Sequence, residues 1–330
     1  MNRGTANNFS VDVQEGTFNA TVSGFFPSAG YSITVGSSGT FQYTNGSMSA
    51  GLTLNLNGGV VNNFAGWSGV TLSSTGGGTL TNDGSSFTLG GNVSYIAGGP
   101  NNTLTLAGPI ALGGTRTFTV ANGAQAVDVD VTGDLSGASQ GVSKAGAGVM
   151  RLGGANSYSG ATSVSAGVLL VDGSTASGSA VTVASEAVFG GNGMVNGNLT
   201  LSSGALFAFD VANTLTLGGS SVFGLDNTFG VGSLRNRSGG AIDWSSITDG
   251  RYTLITGGNL SANFFDATKI SNFGPGNAFD IGGGRNAYFE NGSLTLVVAV
   301  PEPSTVLLGG LGLAVTGWAA RRLRTRAGCR

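Results

Sequence analysis

The chain contains no histidine, one cysteine, six prolines and 9% charged residues in a length of 330. Without histidine, Ser-His-Asp triads, Cys-His pairs and His-ligated zinc cannot be assembled. The cysteine is Cys329, so neither an intramolecular disulfide nor a four-cysteine metal site can form. Scarce proline and the lack of a Gly-x-y period exclude collagen. There is no Walker-type Gly-Lys-Ser/Thr, and no glycine fingerprint of a dinucleotide fold ahead of a helix. Positive charge is also short: residues 1–300 hold nine Lys/Arg against fifteen Asp/Glu, with no basic stripe. That balance argues against a nucleic-acid partner, and no cofactor is expected.

What fills the chain instead is glycine, 61 residues of it, with 40% hydrophobic residues and a mean hydropathy of +0.20. The chain is too apolar for a disordered one. Its mixture of turn formers and β-branched residues is that of an all-β protein with many short strands. From about Thr103 the alternation is easy to follow, in TLTLAG, TFTVANG, VDVDVTG, GVMRLGG, TSVSAG, VLLVDG and AVTVASE. Each segment is a half-buried strand followed by a turn. Some apolar positions recur at seven, as in Val181, Val188 and Val195, and again in Leu199 and Leu206. No 3.6-residue pattern lies between these strands, so the architecture is a sandwich or a solenoid of stacked coils.

Residues 141–174, GVSKAGAGVMRLGGANSYSGATSVSAGVLLVDGS, favour the solenoid. They resemble the autotransporter-associated β-strand repeat of secreted passenger domains. The matching positions are Lys144, Gly146, Gly148, Leu152, Gly154, Asn156, Tyr158, Gly160, Thr162, Val164, Gly167, Leu169 and Val171. Val149 stands where that repeat usually has threonine. The resemblance implies a right-handed parallel β-helix. In such a stack, corner amides such as Asn156 and Asn192 are expected to form ladders, while Lys144 and Arg151, flanking a strand, read as solvated. Residues 103–239 are assigned to this β-helix and residues 1–102 to looser N-terminal coils. Residues 240–299 concentrate Trp244, Phe264, Phe265, Phe273, Phe279 and Phe289, and are expected to form an aromatic-rich β cap over the last coil.

The last thirty residues change character. After Pro301, Glu302 and Pro303 come seventeen uncharged residues, 304–320, beginning with Ser304, and then Arg321, Arg322, Arg324 and Arg326. At about 1.5 Å per residue this run reaches roughly 25 Å, enough for a short membrane-spanning helix. The flanking arginines orient it with the body on the far side of the membrane. The order of proline box, apolar helix and arginine cluster in residues 300–330 resembles the PEP-CTERM sorting signal. That resemblance implies an exported protein whose tail is processed by an exosortase, with Pro301, Glu302 and Pro303 as the recognition box. Arg321, Arg322 and Arg324 then lock the orientation. The first sixteen residues show no apolar run of secretion-signal length, so a leader upstream of Met1 or a truncated copy is expected.

For chemistry, the best acidic cluster is VDVDVTGD, residues 127–134. Alternation places Asp128 and Asp130 about 7 Å apart on one outer face, where β-helix enzymes acting on acidic polysaccharides hold calcium or an acid–base pair. The plain alternative is a polar solvent face, favoured because no Arg or Lys lies close in sequence. Residues 190–198, GGNGMVNGN, lack the aspartate of a calcium-binding nonapeptide and read as a turn. The sequence therefore reads as a non-enzymatic, exported structural or adhesion-type protein of the cell envelope or extracellular matrix. Its partners would be the processing enzyme, the membrane before processing, and extracellular polysaccharide or neighbouring cell-surface proteins. The alternative is a polysaccharide lyase, hydrolase or carbohydrate-binding protein on the same scaffold.

Overall fold

The computed structural model describes residues 10–20, 30–43, 51–63, 66–82, 84–98, 103–259, 269–290 and 294–301. They form an all-β parallel solenoid followed by a four-stranded antiparallel sheet. Among the described residues the helical pieces are three-residue 3₁₀ turns, such as Val231–Ser233 and Trp244–Ser246. None of these described helices is long and apolar enough to cross a membrane. The expected spanning helix, 304–320, lies outside the described residues, as do Phe264 and Phe265.

Each coil turns through short strands that hydrogen-bond to the coils before and after it, in parallel and in register. Along the first face one column runs through Val11, Ile33, Leu54, Leu72, Val93, Phe118, Lys144, Val164, Val183, Leu201 and Leu225. On the second face another runs through Leu104, Val129, Met150, Leu169, Phe189, Phe207 and Leu234. A third face is built from shorter pairings, among them Phe87 with Ile110, Ile110 with Leu135, and Val195 with Leu217.

The seven-residue recurrence in the sequence now has a cause. The strand Val181–Val183 lies on the first face, Val188–Gly190 on the second, and Met194–Val195 on the third. The next coil repeats this with Leu199–Leu201 and Leu206–Ala208. Seven residues are one strand plus one corner. Inward side chains are almost wholly shielded, and burying each Val or Leu stabilises the fold by about 1.5–3 kcal/mol. The apolar core is continuous from Val11 to Val298.

A second, smaller apolar cluster lies outside the main core, formed by Val149, Val168, Leu170, Val188 and Ala208. It is closed over by the loop 236–241. Arg237 reaches back to bond Asp172 at 2.7 Å, and Gly239 packs on the Val168 side chain. A chain segment returning over 65 residues thus straps an otherwise exposed apolar face.

After the last coil, Ile255–Asn259 adds to Leu215–Leu225. The antiparallel sheet consists of Gly250–Thr253, Thr295–Ala299, Arg285–Phe289 and Phe279–Gly282, in that spatial order. Aromatic rings join it to the solenoid. Phe209 stacks on Trp244 at 6.4 Å and meets Tyr252 edge-on at 5.8 Å, while Phe229 lies 5.7 Å from Phe289.

Candidate functional site

The passenger-like segment accounts for its own unusual residues. Lys144 is not solvated: its side chain is fully buried, on the inward phase set by Val142 and within the first-face column. Its ammonium donates to the carbonyls of Ala145 at 3.1 Å, Gly146 at 2.7 Å and Ala166 at 3.1 Å. All three of its donors are therefore satisfied, and the last bond ties the corner of one coil to the corner of the next. Burial lowers the Lys144 pKa from 10.5 to about 8, against the opposing pull of the Asp128 carboxylate. Gly146 and Gly167 complete this corner with φ of +76° and +66°. A Cβ on Gly146 would strike the Val120 carbonyl, and one on Gly167 the Gly146 carbonyl.

Asn156 serves the neighbouring corner differently from the expected amide ladder. Its Oδ1 accepts from the Leu135 amide at 3.0 Å, and its Nδ2 donates to the carbonyls of Gly154 at 3.0 Å and Ser174 at 2.9 Å. One buried side chain thus bridges three successive coils. Asn192 is exposed, and its backbone amide donates to Asp172 Oδ1 at 3.2 Å. The Tyr158 hydroxyl is 2.8 Å from Thr162 Oγ1, which is 2.9 Å from Ser179 Oγ, a buried chain of three hydroxyls. Burial raises the Tyr158 pKa, while those hydroxyl contacts pull it back.

Asp128 and Asp130, the sequence candidates for a metal, sit in different surroundings. Asp128 precedes the strand Val129–Val131, at a corner where strand alternation does not govern it, and is fully buried. Its Oδ1 accepts from the Gly123 amide at 2.7 Å and its Oδ2 from the Val149 amide at 2.8 Å. Burial raises the Tyr95 pKa, with the Asp128 charge adding to it. Asp130 is 8% exposed and takes a bidentate pair from Arg151, Nε at 2.8 Å and Nη2 at 2.5 Å. Sequence proximity misses this partner because it stands directly above Asp130 on the next coil. The Asp130 hydrogen bond in turn raises the Arg151 pKa. Arg151 also lies 4.0 Å from Asp172, which Arg237 holds from the strap. Signs therefore alternate up this face, and no cluster of three or more metal-ligating residues occurs among the described residues.

The sorting candidate begins where the last strand ends. Thr295–Ala299 delivers Val300, 62% exposed, and the exposed Pro301. Glu302, Pro303, Arg321, Arg322 and Arg324 lie outside the described residues.

No curated protein and no solved structure matches the chain. Two family models do, each over a short stretch. Residues 142–171, from the strand that buries Lys144 to the strand above Arg151, match the Passenger-associated-transport-repeat. Residues 299–323 match the PEP-CTERM protein-sorting motif, so the chain joins a passenger-type solenoid repeat to a C-terminal sorting signal.

Proposed function

We propose that this is an exported, non-enzymatic structural protein of the cell envelope or extracellular matrix. In this reading residues 304–320 hold it in the membrane until an exosortase-type enzyme processes the tail at Pro301-Glu302-Pro303. The observation that carries the reading is the sorting-motif match placed at the end of a parallel solenoid. The terminal antiparallel sheet is the lid of that solenoid. It is supported in this by Phe209, Trp244, Tyr252, Phe229 and Phe289, which cover the last coil with rings. A structural rather than catalytic role is supported by the carboxylates of Asp128, Asp130 and Asp172, each already engaged by backbone amides or arginine. Exchanging Glu302 for alanine should leave the full-length precursor in the membrane fraction. Loss of the tail at the wild-type rate would overturn the sorting reading.

One observation favours a second, compatible role in contact with neutral polysaccharide. The outward positions of the first face form columns of small hydroxyls and amides. Thr34, Asn55, Ser73, Ser94 and Thr119 make one, and Thr117, Ser143, Ser163, Thr182 and Thr200 the other. At about 4.8 Å between coils this is a long lattice of donors and acceptors, uncharged beyond Asp12 at the start of the first column. Pull-down by an insoluble neutral glucan should weaken when Thr182 and Thr200 are both exchanged for glutamate; unchanged retention would remove this role.

A further inference from the structure

The sorting match starts at Ala299, which is still the last residue of a strand. That strand is not at an edge. Val298 pairs with Gly250 on one side and with Ala287 on the other, and Leu296 is fully buried. Freeing it would break both ladders and expose the core beneath. Glu302 follows the strand end by three residues, a reach of about 10 Å at most. Whatever reads the proline box therefore works within about 10 Å of a folded sheet.

At that exit lies a cleft of about 420 Å³ whose walls include Pro275, Ala278, Asn286, Tyr288 and Val300. Among the described residues that line it, none is charged. Pro275 and Val300 are exposed, and Ala278, Asn286 and Tyr288 are partly so. The cleft continues directly into Pro301. We propose that this cleft is a docking surface for the enzyme that processes the tail, occupied by an apolar loop at the rim of its active site. The proposal rests on the sorting reading above and deepens it. Recognition is shared between the proline box and the folded sheet beside it, and the mostly apolar described lining fits an apolar loop.

The test uses the full chain, exported in a host that contains a sorting enzyme of this class, with tail loss followed by pulse-chase. Ala278→Arg and Asn286→Arg each place a charge in the cleft from a partly exposed position. Each should slow processing by about fivefold or more, the loss expected when a contact of about 1 kcal/mol is removed, with the melting temperature unchanged. A short Gly/Ser insertion between Val300 and Pro301 leaves the sheet intact, separates box from cleft, and should also slow processing. Wild-type rates in both arginine variants, with Glu302→Ala blocked, would overturn the docking surface and leave the sorting reading standing. Faster processing of the insertion variant would show the sheet to be an obstacle and overturn the proposal as well. A wild-type rate for Glu302→Ala would overturn both.

Discussion

Lys144 is a cation held in an aliphatic column, and its energetics follow from the direction of its shift. Its folded-state pKa is about 8 against 10.5 when exposed. Below pH 8 both states are protonated, and the folded chain bears the full cost of a buried charge. Between pH 8 and 10.5 the unfolded chain binds the extra proton, so stability rises with pH. From pH 7 to 9.5 the gain from this residue is about 2 kcal/mol. Above about pH 10 the trend reverses, since burial raises the pKa of Tyr43, Tyr95 and Tyr158 and only the folded state keeps those protons. Lys144→Met should therefore lose most of the rise in urea midpoint between pH 7 and 9.5. An identical rise in wild type and variant would refute the assignment. Asp128→Ala leaves the amides of Gly123 and Val149 without acceptors and should cost about 2–4 kcal/mol, read from the same midpoints. Arg151 holds Asp130, so millimolar calcium should leave the melting temperature unmoved; an upward shift of several degrees would show a cation site there.

Among the elements, the strap 236–241 depends on one partly shielded ion pair and on glycine packing. Arg237→Ala removes about 1 kcal/mol and should raise amide exchange in the strap and on the outer face of Val168–Val171, while the first face stays protected. Uniform exchange throughout the chain would show instead that the strap governs global stability. The elements are also where sequence and structure can be compared. Strand alternation is legible where a coil buries one side of a strand, as in Thr162–Val164 and Val181–Val183, and fails where the second apolar cluster buries the other side too, as in Val168–Val171. Lys144 is legible by phase, since it shares the inward phase of Val142, but the chemistry of a lysine argues for solvent. The Asp130–Arg151 pair was not legible, because the twenty-one intervening residues carry no signal of which side chains stack. Nor could alternation place Asp128, which stands at a corner and answers to amides from two loops.

For the whole molecule, one continuous core means that damage in one coil is felt by its neighbours rather than by the entire chain. Removing Phe229, which joins the last coil to Phe289, should therefore loosen the terminal sheet first. Phe229→Ala is expected to cost about 3–5 kcal/mol, with protection lost in residues 279–289 before residues 142–171 in hydrogen exchange. The reverse order would show that the sheet folds independently of the solenoid. The passenger repeat is recognisable from one copy because Lys144 and Asn156 bind backbone at its corners while its Leu and Val positions fill the core. The remaining coils satisfy the same geometry with different letters.

The central position of Thr295–Ala299 has a mechanical consequence. Tension applied through the C-terminus enters along a strand gripped by antiparallel partners on both edges, so its ladders are loaded in shear and must yield together. A strand at a border would instead unzip bond by bond. The chain thus places its toughest joint at the point where a tether would pull.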